Sequence, residues 1–165
     1  MESALVDSLM AMSRVLVGLT ARSLGDVQVD VTLPQYRILV VLASRAPLRT
    51  VDLAAELGVT PSTATRNCDR LIRRGLVRRF QRADDLRVSW LGLTPEGTEL
   101  VAVTMRQRRA ALAELAAHIT ADQPELVTNA LDSLVAAAGE LPDPEWWQRL
   151  EHGQGNTSAA TESNV

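Results

Sequence analysis

A mainly helical fold carrying one small β wing is what the 165-residue sequence predicts, on three observations. Hydrophobic residues make up 46% of the chain, led by Ala, Leu and Val, while aromatics make up 3%, a balance that favours helices over a β-sandwich. Apolar residues recur at spacings of three and four along most of the chain. Around residues 76–93 that period gives way to two short strand-like runs.

The elements follow in order. Residues 4–24 read as a helix, with Leu5, Leu9, Met12, Leu16 and Leu19 on one stripe, and "GDVQVDV" breaks it. Thr32 opens a second helix and Gln35, three residues on, offers a capping box. Its inner face is Tyr36, Leu39 and Leu42 or Ala43, and "RAP" ends it. Thr50 opens a third helix, with Asp52 in the first turn where the dipole favours a negative charge. Leu53, Ala54 and Leu57 point inward, and Gly58 supplies the left-handed residue that ends the helix. A fourth helix starts at once, with Thr60 as N-cap and Pro61 in the first position, where a missing N–H is harmless. Ala64, Cys68 and Leu71 form its buried face and Gly75 stops it. "LVRRFQ" and "RVSWLGL" are the strands, joined by "RADDL". Thr94-Pro95 repeats the cap-then-proline signal and opens a helix to about Ile119. A sixth helix is expected from about Ala121 to Gly139, with Thr120 and Gln123 as another capping box, and "LPDPEWWQRLEHG" suggests a short terminal one. The organisation expected is an N-terminal helix (1–30), a central domain of helices and the two strands (31–98), C-terminal helices (99–152) and a disordered tail (153–165).

Composition excludes several classes. The single cysteine, Cys68, forbids an intrachain disulfide, and with only His118 and His152 it builds no zinc cluster, so no metal or cofactor is expected. Uninterrupted apolar runs of about 18 residues are missing and the start, "MESALVDSLM", is acidic. Neither a membrane span nor a signal peptide is read, and a cytoplasmic protein is the default. The net charge of −3 is unevenly spread. Residues 61–90 hold eight arginines against three acids, a net of +5, while the rest holds nine arginines against 17 acids, a net of −8. A basic face on an acidic body results. Every basic residue is Arg, a bias that a GC-rich genome also produces.

The third and fourth helices are spaced as a helix–turn–helix: Ala54 is small enough for close crossing, Gly58 makes the turn and Ala64 packs back. Such a unit puts the start of its second helix in the major groove. With positions 64, 68 and 71 inward, Ser62, Thr63, Thr65, Arg66, Asp69, Arg70 and Arg73 lie on the outer or flanking faces. Short hydroxyls and Arg66 suit base edges or phosphates, and free N–H groups at the helix start suit a phosphate. An αα-hairpin with a solvated arginine face would look similar alone. The basic hairpin directly after it makes the unit a winged helix, whose wing can lay an arginine in the minor groove.

The stretches "LPQYRILVVLA", "TVDLAAELGVTPSTATRNCDRLIRRGLVRR" and "DLRVSWLGLTPEG", residues 33–97, resemble the MarR-type winged-helix repressors. The most specific parts are "RLIRRGLV", then Asp-x-Arg, then "LTPEG". The resemblance implies a homodimer, built from dimerisation helices in 1–30 and 99–152, that binds pseudo-palindromic double-stranded DNA through a DNA-binding domain in 31–98 and represses a nearby gene until a small, phenolic or drug-like effector binds between the dimer and DNA-binding regions. Ser62, Thr63, Thr65 and Arg66 match the recognition-helix contacts, and Asp85 and Arg87 the Asp and Arg of the wing. The full set of DNA contacts expected adds Thr50, Pro61, Arg70, Arg73 and Arg82. Leu86 stands where many members have another Arg, and Asn67 where an apolar residue is usual.

Other residues invite sharper readings that the pattern disfavours. Asp84 and Asp85 are adjacent, but neighbours on a strand point to opposite faces and no nucleophile or His accompanies them; a wing-tip role holding Arg87 fits better than catalysis. Cys68 lies on the inward stripe, where an inert thiol is the common case. Trp90, Trp146 and Trp147 read as packing, and His118 as structural. The rival from another class is a winged helix that binds an acidic protein partner. No catalytic set assembles, so no enzyme is expected.

Overall fold

The computed structural model describes residues 2–26, 30–82, 85–118 and 124–158. These form α1 (Glu2–Gly25), α2 (Leu33–Arg45), α3 (Thr50–Leu57), α4 (Pro61–Arg73), β1 (Val77–Arg82), β2 (Asp85–Leu93), α5 (Pro95–Ala116), α6 (Pro124–Ala137) and α7 (Asp143–Ser158). The local signals act as their chemistry requires. Gln35 Oε1 accepts from the Thr32 N–H at 3.2 Å, one arm of the capping box. Gly58 ends α3 at φ 65°, and Gly75 follows α4 at φ 69°. The Thr94 hydroxyl accepts from the Gly97 N–H at 3.0 Å. The capping pair Thr120 and Gln123 lies outside the described residues.

β1 and β2 pair antiparallel from Val77↔Leu93 to Gln81↔Ser89, and the register shifts between Gln81 and Arg82. Leu48, ahead of α3, adds an isolated bridge to Leu91, with backbone bonds of 2.8 and 3.2 Å. The sheet is therefore two strands with one residue of a third. The core lies between α2, α3, α4 and the base of the wing. Leu39, Leu53, Cys68, Leu71 and Leu91 are all at 0% exposure.

Two junctions of that core are clamped together. The Thr94 hydroxyl donates to the Gly75 carbonyl at 2.6 Å and the Thr94 N–H to the Leu76 carbonyl at 3.2 Å. Gly97 lies so close that a Cβ there would sit 2.0 Å from the Leu76 carbonyl oxygen. The end of α4, both ends of the wing and the start of α5 thus form one rigid joint.

The remaining helices differ in cover. α7 is longer than the short helix expected and packs on α2, with Trp146 and Leu150 in the core and the Trp146 and Trp147 rings edge to face at 5.5 Å. The expectation grouped residues 143–152 with the dimerisation helices; Trp146 and Leu150 instead bury their apolar surface within the chain. α7 also continues through 153–158, where a disordered tail was expected. Extending a formed helix fixes one residue per hydrogen bond, far cheaper than nucleating one, so the polar segment needs no packing to follow. α6 buries none of its residues, leaving Leu126 and Leu131 in solvent. Along α1, which packs on α5, Leu5, Leu9, Met10 and Met12 are exposed while Leu19 is buried. By length and composition alone Ser3–Gly25 could cross a membrane, a property not anticipated because Asp7, Arg14 and Arg22 interrupt its apolar run.

Candidate nucleic-acid interface

The outward side of α4 carries Ser62, Arg66, Arg70 and Arg73, all exposed and spaced by four, four and three residues. That spacing makes a single stripe opposite the buried Ala64, Cys68 and Leu71. Thr63, Thr65 and Asn67 flank it half-buried, and Pro61 is exposed at the helix start. Thr50 is half-buried in the first turn of α3.

The first turn of α4 is pre-wired. The Thr60 hydroxyl accepts from the Thr63 N–H at 3.3 Å and donates to Thr63 Oγ1 at 2.9 Å. Ser62 Oγ is 3.1 Å from Thr60 Oγ1; with the Thr60 proton already committed, Ser62 is the donor of that pair. Arg66 Nη2 reaches Thr63 Oγ1 at 3.5 Å. Proton counting then leaves the Thr63 O–H free to donate and the Ser62 oxygen free to accept. Thr65 donates to the Pro61 carbonyl at 2.8 Å, so it presents lone pairs and a methyl group. Pro61 has no N–H, and those of Thr63 and Ala64 are taken, so the first turn offers an anion at most the Ser62 N–H. The array of free N–H groups expected there shrinks to one. Thr60 itself, absent from the expected contacts, is the hub of this network.

A second link joins helix and wing: Arg79 Nη2 lies 3.2 Å from Asp69 Oδ1. Asp69 was expected on a flank with no partner in view; it fixes β1 against α4. At the start of α3, Arg49 grips Asp52 through two bonds of 2.6 and 2.8 Å, which hold the Asp52 carboxyl below its usual range. Arg74, at the end of α4, donates to Gln35 at 3.2 Å and to Asp30 at 2.7 Å, tying α4 to the entry of α2. Arg82 stacks over the Trp90 ring at 5.3 Å. Arg87 and Leu86 are exposed on β2, Leu86 at 65%. Asp85 begins β2, while its carboxylate and the whole of Asp84 lie outside the described residues. Among the described residues no group of three or more His, Cys, Asp or Glu is placed to hold a metal.

A family model described as the MarR family matches residues 31–89, the span of α2, the helix–turn–helix and most of the wing. RV1404 from Mycobacterium tuberculosis, a solved structure, is similar well beyond it: 30% identity, 86% of this chain and 96% of that one covered, TM-score 0.79. The chain belongs to the MarR family. YfiV of Bacillus subtilis (strain 168), described as an uncharacterised HTH-type transcriptional regulator, is 31% identical over 86 residues, 50% of this chain and 54% of YfiV. The chain spans about half the length of the curated relatives it matches. FabT of Streptococcus pneumoniae, solved in complex with DNA, shares the fold at a TM-score of 0.69 with 20% identity, over 84% of this chain and 98% of that one. Within this MarR-family frame, Leu86 puts an apolar side chain in solvent at the wing.

Burial also decides the cysteine. Desolvation pushes the Cys68 thiol from 9.0 up to about 11, so it stays protonated and weakly nucleophilic at neutral pH. Burial likewise raises the Tyr36 phenol from 10.0 to about 12, with the nearby Arg108 charge and Thr104 hydroxyl acting the other way. Both groups are neutral in the fold and ionise earlier in the unfolded chain. Their contribution is complete below about pH 9 and is lost progressively as pH rises toward about 12. Urea melts should show this alkaline loss, and Tyr36→Phe should flatten it above about pH 10 by roughly 2 kcal/mol. An identical slope in wild type and variant would remove Tyr36 from the explanation.

Proposed function

We propose that this chain is a sequence-specific DNA-binding transcriptional regulator that acts as a cytoplasmic homodimer. The observation that carries the reading is the stripe Ser62–Arg66–Arg70–Arg73, exposed on a helix that Asp69 and Arg79 fix to a basic wing. In a helix–turn–helix this surface enters the major groove, the hydroxyls and Arg66 meeting base edges and the remaining arginines meeting phosphates. Membership of the MarR family and the likeness to an HTH-type regulator support it. The exposed apolar residues of α1 and α6 support a second copy of the chain as their cover, since monomers rarely leave such patches in water. The finer reading is a repressor of a nearby gene, released by a small organic effector.

Symmetry makes the test geometric. Footprinting on a selected operator should show two half-sites about one helical turn apart, roughly 34–36 Å. A single protected half-site would contradict the dimer. The wing gives a second expectation. Arg87→Ala should weaken operator binding and flatten any preference for A·T pairs at the flanks, because a narrow minor groove attracts an inserted guanidinium. Unchanged affinity at physiological salt would remove Arg87 from the interface.

A further inference from the structure

Leu86, on β2, is 65% exposed, more than any other large apolar side chain among the described residues. The pairing of the wing explains how it comes to stand out. Between the pairs Gln81↔Ser89 and Arg82↔Asp85, β1 advances by one residue while β2 advances by four. Leu86, Arg87 and Val88 are therefore looped out of the ladder, and a bulge of this kind re-aims side chains away from the two faces of the sheet. The stem beneath it is stiffened. Phe80 pairs with Trp90 across the strands, Arg78 stacks over the Phe80 ring at 4.7 Å and Arg82 over the Trp90 ring at 5.3 Å. Arg79 is held to Asp69 of α4 at 3.2 Å. The exposed apolar residues of α1 and α6 form helix faces that a second copy of the chain can cover. Leu86 belongs to neither face. It lies between Arg82 and Arg87 in the chain, on a hairpin that also carries Arg78 and Arg79, where a second copy would bring like charges together. An apolar side chain set among arginines suits a polyanion with apolar surface inside it.

We infer that Leu86 is a wedge: it enters the minor groove beside the α4 contact, separates one base step and bends the duplex there. The inference rests on the proposed function, which lays the wing in that groove. The groove edges offer an apolar side chain little, because A·T pairs show only acceptors there and the thymine methyl lies in the major groove. The apolar surface within reach is the base faces, which are uncovered when a step unstacks, and leucine is among the side chains that fill such a gap. The bulge presents Leu86 clear of the sheet near the wing tip. Unstacking loads the protein, so the wedge needs a firm mount. The stacked stem and the Asp69–Arg79 brace provide it while α4 holds the register. Unstacking costs least at the flexible pyrimidine–purine steps, TA and CA/TG. Leu86 thus selects a flanking step by its deformability, a specificity different in kind from the base-edge reading of Arg66.

The test uses the full chain and the duplex it enriches from mixed genomic DNA, with 2-aminopurine replacing adenine at one flanking position at a time. This base brightens when it is unstacked. Wild type should brighten the probe at one pyrimidine–purine step per half-site and bend the duplex by roughly 20° or more, read from the gel mobility of circularly permuted fragments. Leu86→Ala should lose both signals, bind about tenfold more weakly and relax the preference for that step. Its salt slope should match wild type, because Leu86 neutralises no phosphate. Leu86→Met, apolar and of similar reach, should keep the brightening and the bend. Leu86 is exposed, so both variants should melt with wild type. A wild type that binds its operator without brightening any flanking step overturns the wedge and leaves the proposed function standing. So does a Leu86→Ala chain that binds and bends the operator as wild type does. A shallower salt slope in Leu86→Ala would assign the loss to a displaced arginine and overturns the wedge as well. A wild type that enriches no DNA sequence sinks the proposed function, and the wedge with it.

Discussion

Gly97→Ala should destabilise the protein by about 3 kcal/mol or more, lowering Tm by roughly 10 °C. The added methyl would stand 2.0 Å from the Leu76 carbonyl oxygen, where no side-chain rotation relieves it. Backbone must move, and the backbone there joins α4 to β1 while Thr94 binds the Gly75 and Leu76 carbonyls. DNA affinity should therefore fall with stability, because the recognition helix and wing meet at this joint. Gly153→Ala is the matched control. Nothing lies within 4 Å of its Cβ position in α7, so the same change should be neutral or stabilise by up to about 1 kcal/mol. Thermal melts of the two variants check the contrast; a Gly97→Ala melt within about 2 °C of wild type would show that the joint yields.

Arg66→Ala should cost about 1–3 kcal/mol of discrimination at one base pair in each half-site. The side chain is exposed in the middle of the α4 stripe and directed toward Thr63, whose hydroxyl oxygen it approaches at 3.5 Å. A guanidinium so placed suits the two acceptors of a guanine edge. Binding curves against operators changed one pair at a time would locate the loss. If Arg66→Ala weakens binding to every sequence equally, Arg66 contacts phosphate, and specificity rests on the hydroxyls around Thr60.

Those hydroxyls show where sequence reading works and where it stops. Thr60-Pro61, Gly58 and Gly75 are local signals, each set by its own backbone chemistry, and they bound α3 and α4 as expected. The buried trio Ala64, Cys68 and Leu71 follows from helical period alone. Contacts between elements leave no such trace. Asp69 and Arg79 are ten residues apart across a turn, and only the packing of β1 on α4 brings them together. The Leu48–Leu91 bridge and the seat of Gly97 under Leu76 likewise depend on tertiary approach. Thr60 was legible as a cap, but its role as hub needed the positions of the Ser62 and Thr63 side chains. α7 misled for a different reason. Its polar end carries no period, so neither its length nor its docking on α2 through Trp146 and Leu150 was visible.

Selection of bound fragments from mixed genomic DNA, repeated at graded salt, bears on DNA recognition itself. A protein that neutralises phosphates with the arginines of α4 and the wing should lose affinity steeply as salt rises, by roughly 10³-fold or more between 50 and 200 mM for about six contacts. It should also enrich a pseudo-palindromic sequence, and Arg66→Ala should blur that sequence at one position per half-site. Weak retention of all fragments alike, with no enriched site at any salt, would contradict sequence-specific recognition and favour an acidic protein as the partner of the arginine face.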